Sequence, residues 1–206
     1  AQSFVEARGL RLFHRPLTAD EVASYVALFE EVASTSDFAT GLRWTLVALI
    51  NSPHFIYRFE LGAEGSTGER ALLPWEVATS LAYTYSGVGP SNDLLNRAAD
   101  GEFDTAEGRV AAAQELLAGG SHGEAILGRF FSEWIRYGRA ASKVKNDVPE
   151  YEAVRDDLVE ETRAYIDRVV RVEGGGMREV LTTPTTELNA ELAAYYGWGT
   201  ASGTSF

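Results

Sequence analysis

Three histidines, a run of acids and one Gly-x-Ser-x-Gly turn are the candidates in this chain for catalysis or metal binding. His14, His54 and His122 could ligate a metal or exchange protons near neutral pH. They lie on separate segments with no His-x-x-x-His or Glu-x-x-His spacing, so no helix face presents two ligands. His54 stands out, because Pro53-His54-Phe55 places it in the first turn of a short helix among aromatic residues. With Arg58 and Glu60 it forms the candidate ligand or junction group.

Between residues 147 and 161 the chain carries seven acids against the single base Arg155, a net of −6 and half the charge of the whole chain. Asp156 with Glu160 and Asp157 with Glu161 are four apart on one helix face, the weak candidates for a hard cation such as calcium, although the same run also reads as a solvated face. Asp100-Gly101-Glu102-Phe103-Asp104 lacks the sixth-position glycine and distal glutamate of a calcium loop and reads as a turn. Gly119-Gly120-Ser121-His122-Gly123 fits the nucleophile-elbow pattern, which needs a strand before it. A helix precedes it here, and the structural reading makes Ser121 an N-cap whose capping box is completed by Glu124. No catalytic set is assigned.

Composition narrows the classes. The chain has 206 residues, 45% apolar and 23% charged, enough for one large domain or two small ones. Thirty acids against eighteen bases leave a net charge of −12, which repels a phosphate backbone, so no nucleic-acid partner is expected. Without cysteine there is no disulfide, thiolate zinc site or covalent haem attachment in this chain. No apolar run is long enough to span a bilayer, and any secretory signal is expected to have been removed or to lie outside the chain.

The elements that must position these residues are helical. Thr18 and Glu21 match a capping box before an apolar stripe of Val22, Tyr25, Val26, Phe29 and Ala33. The start signal Ser36-Asp37 precedes a run through Leu42, Trp44, Leu46, Val47, Leu49 and Ile50 that is apolar on too many sides for a surface helix and is expected to be central. Ser52-Pro53 restarts the chain, and 62–68, rich in Gly, Ser and Glu, is the linker candidate. Further helices are expected near 74–85, 92–98, 105–118, 121–135, 150–172, 177–181 and 187–196, with 121–135 a second buried helix and 199–206 a frayed tail. No alternation is long enough for a sheet. The expected fold is all-α, a multi-helix orthogonal bundle of about nine or ten helices in two modules, 1–66 and 67–206.

In residues 13–22 (Phe-His-Arg-Pro-Leu-Thr-Ala-Asp-Glu-Val), Gly41-Leu42-Arg43 and residues 52–60 (Ser-Pro-His-Phe-Ile-Tyr-Arg-Phe-Glu), the chain resembles a helical module of unknown function found in large exported planctomycete and myxobacterial proteins. A partner module is echoed by Glu76-Val77-Ala78, Leu94-Leu95, Phe130-Phe131 with Trp134, Pro149-Glu150-Tyr151, and Tyr195-Tyr196-Gly197. The resemblance implies a periplasmic or cell-envelope address, further domains or chains of the same parent protein as partners, and a c-type haem in a partner domain but none in this chain. On this basis the chain is expected to be a non-catalytic scaffold or assembly module of a larger exported protein. The alternative is a component of a redox or hydrolytic enzyme whose cofactor or active site is completed by a neighbour.

Overall fold

The computed structural model describes residues 1–64 and 68–199. Among them are eleven α-helices, a few short 3-10 turns and one two-residue β-pair, so the fold is all-α with slightly more helices than the sequence suggests. The chain divides into two compact units, Ala1–Leu116 and Leu117–Phe206. The expected module junction, between 66 and 67, and the expected frayed end from residue 200 onward lie outside the described residues.

In the first unit, α1 (Gln2–Phe13) buries Val5, Gly9 and Phe13 along one stripe. Gly9 does not interrupt this helix; a Cβ there would lie 2.0 Å from Leu17 Cδ1, so the missing side chain makes room for Leu17. His14 ends α1 in the left-handed region, φ 56°. Helix α2 (Ala19–Thr35) starts at the expected capping box: Glu21 N–H donates to Thr18 Oγ1, and Thr18 N–H donates to Glu21 Oε2. Asp37 caps α3 (Phe38–Ile50) by accepting from Thr40 N.

Helix α3 is not central. Only Gly41, Thr45 and Leu49 are buried on it, and the stripe packs against α2 with Gly41 close to Ala33 and the Phe29 ring. The apolar residues on its other sides stay in contact with solvent. After Ser52, α4 (Pro53–Ile56) lasts one turn, and from Tyr57 the backbone is extended, so the helix stops before Phe59. Strands β1 (Ala63–Glu64) and β2 (Arg70–Ala71) pair antiparallel, a two-residue bridge too short to need any alternation in sequence.

The main core of this unit is built by α5 (Pro74–Tyr85), α6 (Asn92–Ala99, capped by Ser91), the 3-10 turn Glu102–Asp104 and α7 (Ala106–Ala118). Ala78, Ala82, Leu94, Leu95, Ala98, Phe103 and Ala112 form it, small residues on α5 and α7 enclosing larger ones from α6 and the turn.

In the second unit, α8 (Gly120–Ile135) begins one residue before Ser121, so the expected Ser121–Glu124 capping box does not form. Glu124 instead faces Arg171, at 3.0 Å. Helix α8 buries Gly123 and Phe131 alone, which corrects the expectation of a fully buried helix. Helix α9 (Tyr151–Asp167) runs into a π-helical turn, Arg168–Val172, and together they span the single long helix read from the sequence. Phe131, Ile166, Val169 and Val180 form the core with α10 (Met177–Thr182). Asn189 caps α11 (Ala190–Tyr196), and Gly197 closes it at φ 69°.

Candidate functional site

The first unit contains a cavity of about 610 Å³ whose wall is mostly aromatic and aliphatic. Two segments distant in sequence meet on it: the end of α1 with the turn after it, and α4 with the extended chain that follows. Those are the segments, 13–22 and 52–60, whose residues carry the resemblance. Helix α5 supplies Trp75, Glu76, Thr79 and Tyr83 to the same wall.

Glu76 sets the shape of this wall. Its carboxylate accepts from the backbone N–H groups of Leu73, Leu61 and Gly62, so one side chain caps α5 and ties down the strand after α4. Glu21 fixes the other side. Arg15 binds it through both guanidinium ends, at 2.7 and 2.8 Å, while Thr18 N–H donates to the same carboxylate. The Arg15 hydrogen bonds, helped by the cap, hold the Glu21 carboxyl down at about 2.

His54 lies half exposed between two rings, 5.4 Å from Phe13 and 5.2 Å from Phe59, with Nε2 3.6 Å from Glu21 Oε1. His14 is reached from the other direction. Its ring meets Tyr83 edge-on at 5.9 Å, and a Cβ on Gly89 would stand 2.8 Å from its Nε2, so the loop after α5 passes close only because residue 89 is glycine. Burial, with the Arg11 charge second, pushes the His14 imidazole below its usual range and favours the neutral ring at pH 7. Arg58 lies over Tyr83 at 5.9 Å and pairs with Glu60, both side chains well exposed.

Of the residues singled out in the sequence, His54 and Arg58 are in the cavity wall, and Glu60 reaches it only as the partner of Arg58. His14 joins them, although 40 residues separate it from His54 and no spacing rule links the two. His122 is exposed on α8 in the other unit. Arg15 lies in the Phe-His-Arg-Pro segment and Tyr83 in the segment that echoes the partner module, but no spacing marks Arg15, Trp75 or Tyr83 as part of a site.

Among the described residues no three His, Asp or Glu side chains come together to hold a metal. Asp156 points to solvent, Asp157 is partly exposed, and Glu160 pairs with Arg163 at 2.8 Å. Glu161 is buried and accepts hydrogen bonds from Thr186 Oγ1 and from the Tyr196 hydroxyl at 2.7 Å, which anchors the C-terminal segment to α9. The 100–104 turn is likewise structural, with Glu102 held by Arg97. No strand precedes Ser121, so the serine has no elbow geometry.

No described helix is long and apolar enough to cross a membrane. No curated protein matches the chain, and no solved structure does. A family model does: residues 72–198, more than half of the chain, match "PSD4: Protein of unknown function (DUF1592)", and residues 1–60 match "PSD5: Protein of unknown function (DUF1595)". Two matches in tandem fit the tandem modules read from the sequence, whereas compact packing divides the chain near residue 116. The chain belongs to the DUF1592 family of unknown function, with a segment similar to the DUF1595 family ahead of it.

Proposed function

We propose that the chain is a non-catalytic helical module that assembles with further domains or chains of a larger exported protein, a c-type haem being carried by one of those neighbours. The observation that carries this reading is an apolar helix face left open in each unit. On α3, Leu46, Val47 and Ile50 recur at helical spacing on the side away from α2, with Trp44 beside them 54% exposed. On α8, Phe130 and Trp134 are 52% and 49% exposed and stack on each other. Exposed apolar surface of this kind, set among charged neighbours, is the usual mark of an interface.

The charged groups that are engaged support the same reading, since they form ordinary ion pairs, such as Arg97 with Glu102, and helix caps, such as Glu21 and Glu76. Site-specific photo-crosslinking in the native host tests it. A photoreactive residue at position 46 or 130 is expected to link to other parts of the parent assembly, and one at Glu30, on exposed α2 surface, is not. Equal labelling at all three positions would overturn the proposal. An oxidised and reduced absorption spectrum of the captured assembly tests the haem-bearing neighbour.

The second reading, a component of a redox or hydrolytic enzyme completed by a neighbour, is favoured by one observation, the presence of His14 and His54 on the same cavity. His54→Ala and His14→Ala variants leaving the activity of the whole assembly unchanged would remove it.

A further inference from the structure

We infer that the cavity of the first unit binds a small aromatic carboxylate, its ring against the aromatic wall and its carboxylate on Arg58. This inference is independent of the assembly proposal, which concerns the outer faces of α3 and α8.

The size suits a small molecule: about 610 Å³ lies within the range of roughly 300–1,000 Å³ for such sites, and an apolar wall with a few placed polar groups is their usual build. The charge on the wall has a sign. Three arginines, Arg15, Arg58 and Arg70, line it against one acid, Glu76, in a chain whose net charge is −12. Glu76 turns its oxygens to three backbone N–H groups, whose dipoles offset part of its charge.

The arginines differ in how they are held. Arg15 is locked to Glu21 by two short hydrogen bonds, and Arg70 donates to the Leu61 carbonyl. Among the described residues, the carboxylate that holds Arg58 is that of Glu60, through an exposed pair of side chains two residues apart. Such a pair gains little over solvation, so a ligand carboxylate can replace Glu60 and take the bidentate geometry that guanidinium favours. Arg58 already lies over the Tyr83 ring, so a bound carboxylate would sit beside an aromatic face that a planar ligand can stack on. The neutral His14 ring, near Tyr83, adds no charge to oppose or duplicate this.

Isothermal titration of the whole chain with indole-3-acetate, and with uncharged indole-3-ethanol as its matched control, tests the inference. The acid is expected to bind about tenfold more tightly than the alcohol, the factor that one charge-assisted contact supplies. Arg58→Gln should remove that preference, and Glu60→Gln, which takes away the competing carboxylate, should strengthen binding of the acid and leave the alcohol unchanged. The two substitutions lie on exposed side chains, and their opposite signs separate a direct role from a general loss of structure. Absence of binding by either compound, equal binding of the two, or loss of affinity in Glu60→Gln would overturn the assignment.

Discussion

Helices α3 and α6 belong to the same compact unit and use their apolar residues in opposite ways. Helix α6 is polar over most of its surface, yet Leu94, Leu95 and Ala98 are all almost completely buried, Leu95 at 1% exposure. Helix α3 is apolar nearly all round and buries only Gly41, Thr45 and Leu49. Segregation of apolar residues onto one stripe therefore reports burial, whereas apolar content in excess of a stripe reports a face left for something else.

The largest expected effect lies on the buried side of this comparison. Leu95→Ala should cost about 2–5 kcal/mol, read by urea denaturation, because its neighbours Phe103 and Ala98 cannot close the space it leaves. A loss under about 1 kcal/mol would mean that the α5–α7 core is much looser than its burial indicates.

The contrast extends to the acidic run, where Glu161 is buried and Asp156 is exposed on the same helix. Glu161→Ala strips the Thr186 and Tyr196 hydroxyls of their acceptor and should cost about 1–3 kcal/mol, against about 0.5 kcal/mol or less for Asp156→Ala. Thermal unfolding of both variants with and without calcium separates this structural role from cation binding, for which no calcium-dependent shift is expected.

A smaller effect is expected at Glu21, which caps α2 and binds Arg15. Glu21→Gln should lose about 1 kcal/mol near neutral pH. Because the folded carboxyl sits at about 2, below the unfolded value of about 4.3, its stabilisation is complete above that unfolded value and is lost as pH falls toward 2. Chemical denaturation from pH 6 to pH 2 should therefore show a shallower fall in the variant than in the parent chain.

The smallest effect on stability is expected on α3 itself. Leu46→Ser should change unfolding free energy by no more than about 0.5 kcal/mol.

Much of the fold was legible because its signals are local. Thr18 with Glu21 and Ser52-Pro53 mark helix starts through contacts within four residues, and both starts are where the spacing places them; the pairs Ser36-Asp37 and Ser91-Asn92 narrow two more starts, whose caps are Asp37 and Ser91. Ser121 misled because it competes with the left-handed Gly120, which already turns the chain into α8, φ 58°. The burial of α3 and α8 was misjudged for a different reason: apolar content does not state how many partners a helix has. His54 and Arg58 could be picked out from their aromatic setting. Their meeting with His14 and Tyr83 depends on the path of α1 against α4 and on α5 being tied to residues 61 and 62 by Glu76, contacts that no spacing within one segment encodes.

We propose that the open face of α3 is a surface kept for a partner. Thermal unfolding of the isolated chain, together with recovery of the parent assembly from the native host, tests this directly for the double variant Leu46→Ser/Ile50→Ser. An unchanged melting temperature with loss of the assembly is the predicted result. A lowered melting temperature with the assembly intact would contradict the claim and place that face in the folding core.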